Sequence, residues 1–365
     1  MRINILLPYK EKFDKDKASS VSITILNNLY YSKFQKNIKI FGQKVKQPSF
    51  KDNFEGISYS IFSLTSRNKF LAKKMSSSII KSKEKKQIIE IHNRPYLVDF
   101  LAQANQFPIS LFLHNDPLEM RGSKLLKERE NILKKCEVIF CVSEFIKNQF
   151  LKGVLKNHNK VKVLYNGVDR KLKKFPCKKK EVLFVGRLVA EKGVELYVDA
   201  IKSIANYFPD WNFGIIGSFK LGDNQKSNLY ARGVINKFNK IGSQTTYYGF
   251  QNKSFVEEKM KSASIIVIPS IWQEPFGLVA AEAMSNGIAI IASNVGGIPE
   301  IVKDNGILIN NINSIKITKS LKKLIEDYKL RLKYQKKAWK NFDFRSSVSS
   351  ARLDNFRKKI FQKNF

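Results

Sequence analysis

Two doubly wound α/β domains, each a parallel sheet covered by helices on both faces, are predicted by three observations. Strand-like and helix-like patterns alternate along most of the 365 residues, the signature of parallel sheets joined by crossover helices. The strand patterns are continuous apolar, β-branched runs such as Ile265-Ile-Val-Ile268, which suit strands buried on both faces. The length is enough for two separate cores.

In the first half the runs Ile3–Leu7, Ile38–Phe41, Ile57–Phe62, Gln87–Ile91, Ile109–Leu113, Val138–Val142 and Val161–Leu164 read as strands. In the second half Val182–Val185, Phe213–Ile216, Thr245–Tyr248, Ile265–Ile268, Ile288–Ile291 and Ile307–Ile309 do so. The charged segment 170–180, interrupted by Pro176, is expected to be the linker, dividing residues 1–170 from 171–345. From Ser314 onward the pattern is helical, with a break near Asn341-Phe-Asp-Phe344. No fixed short repeat is present, which argues against solenoids and propellers.

Composition narrows the classes. A hydrophobic fraction of 43% supports a packed core rather than a disordered chain. The net charge of +35 comes mostly from scattered lysines. Compositional bias accounts for that as well as does attraction to an anionic membrane surface. The segment from Phe70 to Lys86 mixes apolar and basic residues as an interfacial helix would, and equally as a core-facing helix with a solvated lysine face. Nucleic acid fits poorly, because lysine outweighs arginine and no nucleic-acid-binding motif is present. Cys136, Cys141 and Cys177 have neither metal-ligand spacing nor an even count, so a reduced cytoplasmic setting is expected. The first residues, Met1–Pro8, read as a strand, and no run reaches the ~20 apolar residues that span a bilayer. A protein of the cytoplasm, soluble or peripheral on the inner face of the membrane, is expected.

The most informative stretch follows Ile268. A loop carries Glu274, Pro275 and Phe276, and a small-residue helix is expected to start near Gly277 and end at Asn286-Gly287. Amides of Gly277 and Leu278 would then leave the carboxyl edge of the sheet, where helix starts attract phosphate. Glu274 and Glu282 add strong acceptors for hydroxyl groups, so a diphosphate bearing a sugar, a nucleotide sugar, suits the site. His92, in His92-Asn93-Arg94-Pro95, and His114, in His114-Asn115-Asp116-Pro117, follow predicted strands and are expected at a sheet edge facing the cleft. No phosphate loop and no Gly-x-Gly-x-x-Gly fingerprint occurs, which leaves an ATPase or a dehydrogenase without support.

Three blocks carry a family resemblance. The run Glu274-Pro-Phe-Gly-Leu-Val-Ala-Ala-Glu282 resembles the paired-glutamate signature of the retaining glycosyltransferases of GT-B fold, family four in particular. Val182-Leu-Phe-Val-Gly186-Arg187-Leu-Val-Ala-Glu191-Lys192-Gly193 is similar to the strand and loop whose Arg and Lys grip the donor diphosphate. Val161-Lys-Val-Leu-Tyr-Asn166-Gly167-Val168-Asp169 is similar to the segment that closes the N-terminal domain.

The resemblance implies the GT-B fold: two Rossmann-like domains facing a central cleft, with residues 346–365 crossing back onto the first. It implies an acceptor-binding domain followed by a nucleotide-sugar-binding one, with retention of anomeric configuration and no metal ion or other cofactor. A UDP-sugar is the favoured donor. It assigns the diphosphate to Arg187, Lys192, Phe276, Gly277 and Leu278, the donor sugar to Glu274 and His114, and the ribose to Glu282. Ser218 and Phe250 would frame the base, and His92, Asn93, Arg94 and Ser19 would stand on the acceptor side. The His92–Pro95 run resembles a subgroup of bacterial envelope and lipopolysaccharide transferases, which suggests a glycan or glycolipid acceptor.

One departure matters. Many members carry Gly-Gly after the first strand, whereas here the loop runs Pro8-Tyr9-Lys10 to Ser19-Ser20 and leaves Lys10, Lys17 and the serines to supply charge and donors. Asp14-Lys15-Asp16 has the letters of a metal-dependent GT-A motif without its apolar lead-in strand. The rival reading is a degenerate, transferase-like binding or coat protein.

Overall fold

The computed structural model describes residues 1–14, 19–60, 62–156, 158–219 and 229–365. Contacts divide the chain into one unit of Met1–Gly167 with Phe344–Phe365 and a second of Val168–Asp343.

The first unit contains β1 (Arg2–Leu6), α1 (Ser20–Tyr31), β2 (Ile38–Gln43), β3 (Phe54–Ile57), α2 (Arg67–Ile80), β4 (Gln87–His92), α3 (Val98–Ala104), β5 (Ile109–Leu113), α4 (Leu126–Lys135), β6 (Val138–Cys141), α5 (Glu144–Leu151) and β7 (Val161–Val163). Its strands pair in parallel in the order β3-β2-β1-β4-β5-β6-β7. Ile5 on β1 faces Ile40 on one side and Glu90 on the other. Both faces of the sheet are covered, so β4 and β5 are buried at every position, the polar Gln87, Glu90, His92 and Ser110 included.

One strand expectation is corrected, and one choice between two readings is decided. The strand placed at Ile57–Phe62 is β3, which ends at Ile57. Its pairing with β2 begins at Phe54 opposite Ile40, and the residues beyond turn into a loop in which the Tyr59 hydroxyl donates to Thr65 O at 2.8 Å. The apolar alternation misled because Phe62 points to solvent. The Phe70–Lys86 segment includes most of α2, whose Leu71, Ala72, Met75 and Ile79 are buried, so its apolar face serves the core.

The second unit contains β8 (Lys179–Val185), α6 (Val194–Lys202), β9 (Asn212–Ile216), α7 (Leu229–Asn239), β10 (Thr245–Gly249), α8 (Lys253–Ser262), β11 (Ala263–Ile268), α9 (Leu278–Ser285), β12 (Ala289–Ser293), α10 (Ile298–Val302), β13 (Ile307–Ile309), α11 (Ser314–Glu326) and α12 (Tyr328–Lys340). The sheet order is β10-β9-β8-β11-β12-β13, again all parallel. Its core gathers around Tyr197, Phe213 and Phe238, and the buried Tyr197 hydroxyl is satisfied by Val182 O and Gly214 O at 3.1 and 3.2 Å. Segment 170–180 is no free linker: Arg170 lies over the Trp339 and Phe342 rings at 4.0 and 4.7 Å, and Lys178 donates to Asn286 O at 2.7 Å. The Arg170 guanidinium over these rings and Phe175 against Trp339, with ring centres 5.9 Å apart, hold the run against α12 in spite of its charge.

The last helix, α13 (Ser346–Asn364), belongs to the first unit. Its buried stripe, Ser346, Ser349, Ser350, Leu353, Asp354, Arg357, Ile360 and Phe361, keeps helical spacing but is mostly polar. The reason lies in β4. Glu90 is 1% exposed, and a buried carboxylate demands a partner. Arg357 supplies it with two hydrogen bonds, Nε to Oε1 and Nη2 to Oε2, both 2.8 Å, while Nη1 donates to Asp354 Oδ1 at 3.1 Å. Ser350 Oγ donates to Asn28 O and Ser349 Oγ to Tyr165 O, each at 2.8 Å. Gly167 lets the helix start approach, since a Cβ there would overlap the Ser346 backbone.

Candidate active site

In the second unit the first strand, β8, lies between β9 and β11, so the chain turns to opposite sides of β8 in building the sheet. Loops leaving the carboxyl ends of β8 and β11 flank this switch point, where open α/β sheets bind ligands. The β8 loop carries Gly186, Arg187 and Lys192, and the β11 loop carries Ser270 to Gly277. The two are stitched together: Ile271 N donates to Glu191 O at 2.8 Å, and Gly193, in the left-handed region with φ 65°, lies so near Pro269 O that a Cβ would overlap it.

This stitching brings Lys192 to Glu274. The ammonium forms an ion pair with Glu274 Oε1, to which Ser270 Oγ also donates at 2.7 Å, and Lys192 lies 5.5 Å from the centre of the Trp272 ring. Glu274 is 8% exposed and its loop is pinned by Gly297 N donating to Glu274 O at 2.7 Å, and Gly296 N to Gln273 Oε1 at 2.7 Å. A lysine and a glutamate held in one place offer a cation to phosphate and an acceptor to hydroxyl.

Helix α9 starts at Leu278 behind Gly277, whose φ is 100°. Phe276, just before it, is buried. Glu282, one turn in, is partly buried, and desolvation pushes its carboxyl up to about 7, with Lys253 opposing and Glu257 adding to the rise. Arg187 is less constrained: its guanidinium is about half exposed and 3.9 Å from Glu191. Ser218 is buried after β9, with its carbonyl accepting from Leu188 N at 3.0 Å, and Phe250 is 40% exposed after β10.

In the first unit the sequence-selected residues His92, Asn93 and His114 form one cluster. Nδ1 of His92 and Nε2 of His114 are 2.9 Å apart, and His92 stacks on Phe112 with ring centres 4.3 Å apart. One nitrogen must donate and the other accept, so the rings hold complementary neutral tautomers. Burial lowers both: His114 falls to about 4, and His92 lies well below its ordinary value, depressed also by His114 and Arg357. Asn93, with φ 53°, accepts the His114 amide on Oδ1 at 2.8 Å. Ser19 stands at the start of α1 with its Oγ unpartnered among the described residues. Lys17, Lys15 and Asp16 lie outside the described residues.

Sequence reasoning missed Ser270, Gln273 and the Gly296-Gly297 amides, which fix Glu274. An Asn-Val-Gly-Gly turn after the next strand was the available signal. Among the described residues no cluster of three or more His, Cys, Asp or Glu could hold a metal ion, and no helix is long and apolar enough to cross a membrane.

Comparison with known proteins gives these loops a context. The model of the family "Glycosyl transferases group 1" matches residues 166–341, and that of "Glycosyltransferase Family 4" matches residues 38–172. The chain belongs to the family 4 glycosyltransferases. An uncharacterized glycosyltransferase of Methanocaldococcus jannaschii is 32% identical over 54% of this chain and 53% of its own length. Spore coat protein SA of Bacillus subtilis is 28% identical over 64% and 67%, and the lipopolysaccharide 1,2-N-acetylglucosaminetransferase of Salmonella typhimurium is 27% identical over 44% and 45%. The chain thus spans about half the length of the archaeal protein that it matches. In fold this family 4 chain is similar to Anabaena HepE in complex with UDP and glucose, with a TM-score of 0.77, 18% identity and coverage of 98% and 99%. A glycosyltransferase from Rickettsia africae gives a TM-score of 0.79, 18% identity and coverage of 100% and 99%. The GT-B fold expected from the sequence, with two parallel-sheet Rossmann-like units, is the fold of this chain.

Proposed function

We propose that this family 4 protein is a retaining, metal-independent glycosyltransferase that moves a sugar from a nucleotide donor, a UDP-sugar in first preference, to a hydroxyl of an envelope glycan or glycolipid. The observation that carries the reading is the Lys192–Glu274 pair at the switch point of the second unit, beside the start of α9. Breaking the anomeric bond of a sugar diphosphate builds negative charge on the departing phosphate and oxocarbenium character on the sugar. Lys192, Arg187 and the amides at Gly277 and Leu278 meet the first, acting as preorganised charge and dipoles. Glu274 holds sugar hydroxyls and Glu282 the ribose. The departing phosphate oxygen takes the proton from the acceptor hydroxyl, so no enzyme nucleophile is needed. The first unit, with His92, Asn93, Arg94 and His114, receives the acceptor.

The complex of HepE with UDP and glucose supports the donor class, and the similarity to the Salmonella transferase supports an envelope acceptor. Similarity to a spore coat protein favours a second reading, a binding protein that keeps the fold without the reaction. The intact Lys192, Glu274 and Glu282 weigh against it.

Thermal-shift screening with UDP-, GDP- and ADP-sugars, followed by transfer assays, tests the proposal. Glu274→Ala abolishes transfer with the fold retained, and Lys192→Ala weakens nucleoside diphosphate binding by about tenfold or more, the loss of a charge-assisted contact. Unchanged turnover in the first variant, or an unchanged dissociation constant in the second, removes that residue from the site.

A further inference from the structure

In the first unit β1 is likewise the switch strand, with β2 on one side and β4 on the other. Outside the carboxyl ends of β1 and β4 lies a pocket of about 410 Å³. Lys10, Arg67, Arg94 and Arg121 line it, together with Tyr9 and Tyr96. The charge excess of this chain is carried by lysine, with only twelve arginines in the sequence, yet three of those arginines meet here. A lysine-rich composition does not account for such a gathering.

Each guanidinium is held in place by something other than a carboxylate. Arg67 lies 5.4 and 5.7 Å from the centres of the Tyr9 and Tyr59 rings, Arg121 lies 5.2 Å from that of Tyr96, and Arg94 donates from Nη1 to Asn93 O at 2.6 Å. None of the four cations has an ion pair among the described residues. The nearby acid, Glu11, is pushed up to about 7 by burial against the pull of Arg94, so its charge offsets them only in part. Ring-held, uncompensated guanidiniums are preorganised for the flat, multi-oxygen geometry of an anion.

We propose that this pocket receives the anionic group, a phosphate ester or a carboxylate, of the acceptor sugar. The inference rests on the acceptor role given to the first unit, and it adds a charge to that acceptor's chemistry. Arg67 and Arg121 are then specificity residues, and Arg94 holds the same group from the β4 side.

Equilibrium binding of glucose 6-phosphate, glucuronate and glucose to the full chain, with and without saturating UDP, tests it. At least one of the two anionic sugars binds about tenfold or more tighter than glucose. The double variant Arg67→Gln/Arg121→Gln reduces that preference to within about threefold and leaves UDP affinity unchanged, because both side chains are exposed and lie outside the unit assigned to the donor. A tighter glucose 6-phosphate assigns a phosphate ester, and a tighter glucuronate a carboxylate. Equal binding of all three sugars overturns the proposal. So does an anion preference that survives in the double variant, or one lost in Lys192→Ala instead. Anion preference without any UDP binding upholds the pocket and refutes the donor reading.

Discussion

His92 Nδ1 and His114 Nε2 face each other at 2.9 Å in a setting that keeps both rings uncharged. A histidine whose folded pKa is lowered from 6.5 to about 4 binds fewer protons folded than unfolded between those values. Its stabilising contribution is therefore complete above pH 6.5 and is lost as pH falls toward 4. Replacing His114 by Gln removes that slope. In urea unfolding from pH 7 to 4, the wild type loses on the order of 2 kcal/mol more than the variant. The comparison with the variant matters because the raised carboxyls of Glu11 and Glu282 act with opposite sign. Parallel curves for the two proteins would place the ring in an ordinary titration.

Glu282 gives donor binding a pH dependence. An ionised carboxylate accepts two ribose hydroxyls better than the neutral acid, and this group changes charge at about 7. UDP affinity measured calorimetrically falls several-fold from pH 8 to pH 6, and Glu282→Gln flattens the part of the profile that UDP's own phosphates do not cause. Identical profiles would take Glu282 out of the nucleotide site.

Gly193 couples the two loops of the second unit. With φ at 65° and Pro269 O in the way of a Cβ, Gly193→Ala strains the turn and moves Lys192 away from Glu274. A loss of about 1–3 kcal/mol in stability is expected. UDP affinity drops by at least the factor seen for Lys192→Ala. A stable variant that binds UDP normally would show that the turn does not position the lysine.

The pair between Arg357 and Glu90 is buried on both sides, at 3% and 2% side-chain exposure. Arg357→Met strands Glu90 and costs about 3–5 kcal/mol, as removal of one buried partner does. Glu90→Leu/Arg357→Met recovers part of that by removing the stranded carboxylate, while Asp354 keeps Ser32 Oγ and Lys33 N as donors at 2.8 and 2.7 Å. Chemical denaturation distinguishes these outcomes, and a double variant no better than the single one would show that the pair is not the source of the loss.

Local physics made the strands readable. Ile265–Ile268 and Ile109–Leu113 read as strands and are buried throughout, and the helix start at Gly277 followed from small residues behind a proline-bearing loop. Glu274 and Lys192 were legible as candidates because they sit on loops next to strand ends. What ties them together was not, since Ser270 and the Gly296-Gly297 amides act through three-dimensional closure and leave no periodic trace. The same holds for His92 with His114, and for α13, whose polar buried stripe reads as an ordinary solvated helix until Glu90 is seen to need a cation. Arg67 and Arg121, remote from each other in sequence, became a feature only when β1 and β4 were found to be neighbours.

Glu90 leaves the ribosome 267 residues before Arg357 does, a delay on the order of tens of seconds at about 5–20 residues per second. Through that interval the nascent first unit carries a carboxylate in its central strand with no counterion, while the entire second unit is being made. Its completion waits on synthesis of α13, and the newborn protein passes through a stage with one finished lobe and one unfinished, the finished one being the later-born.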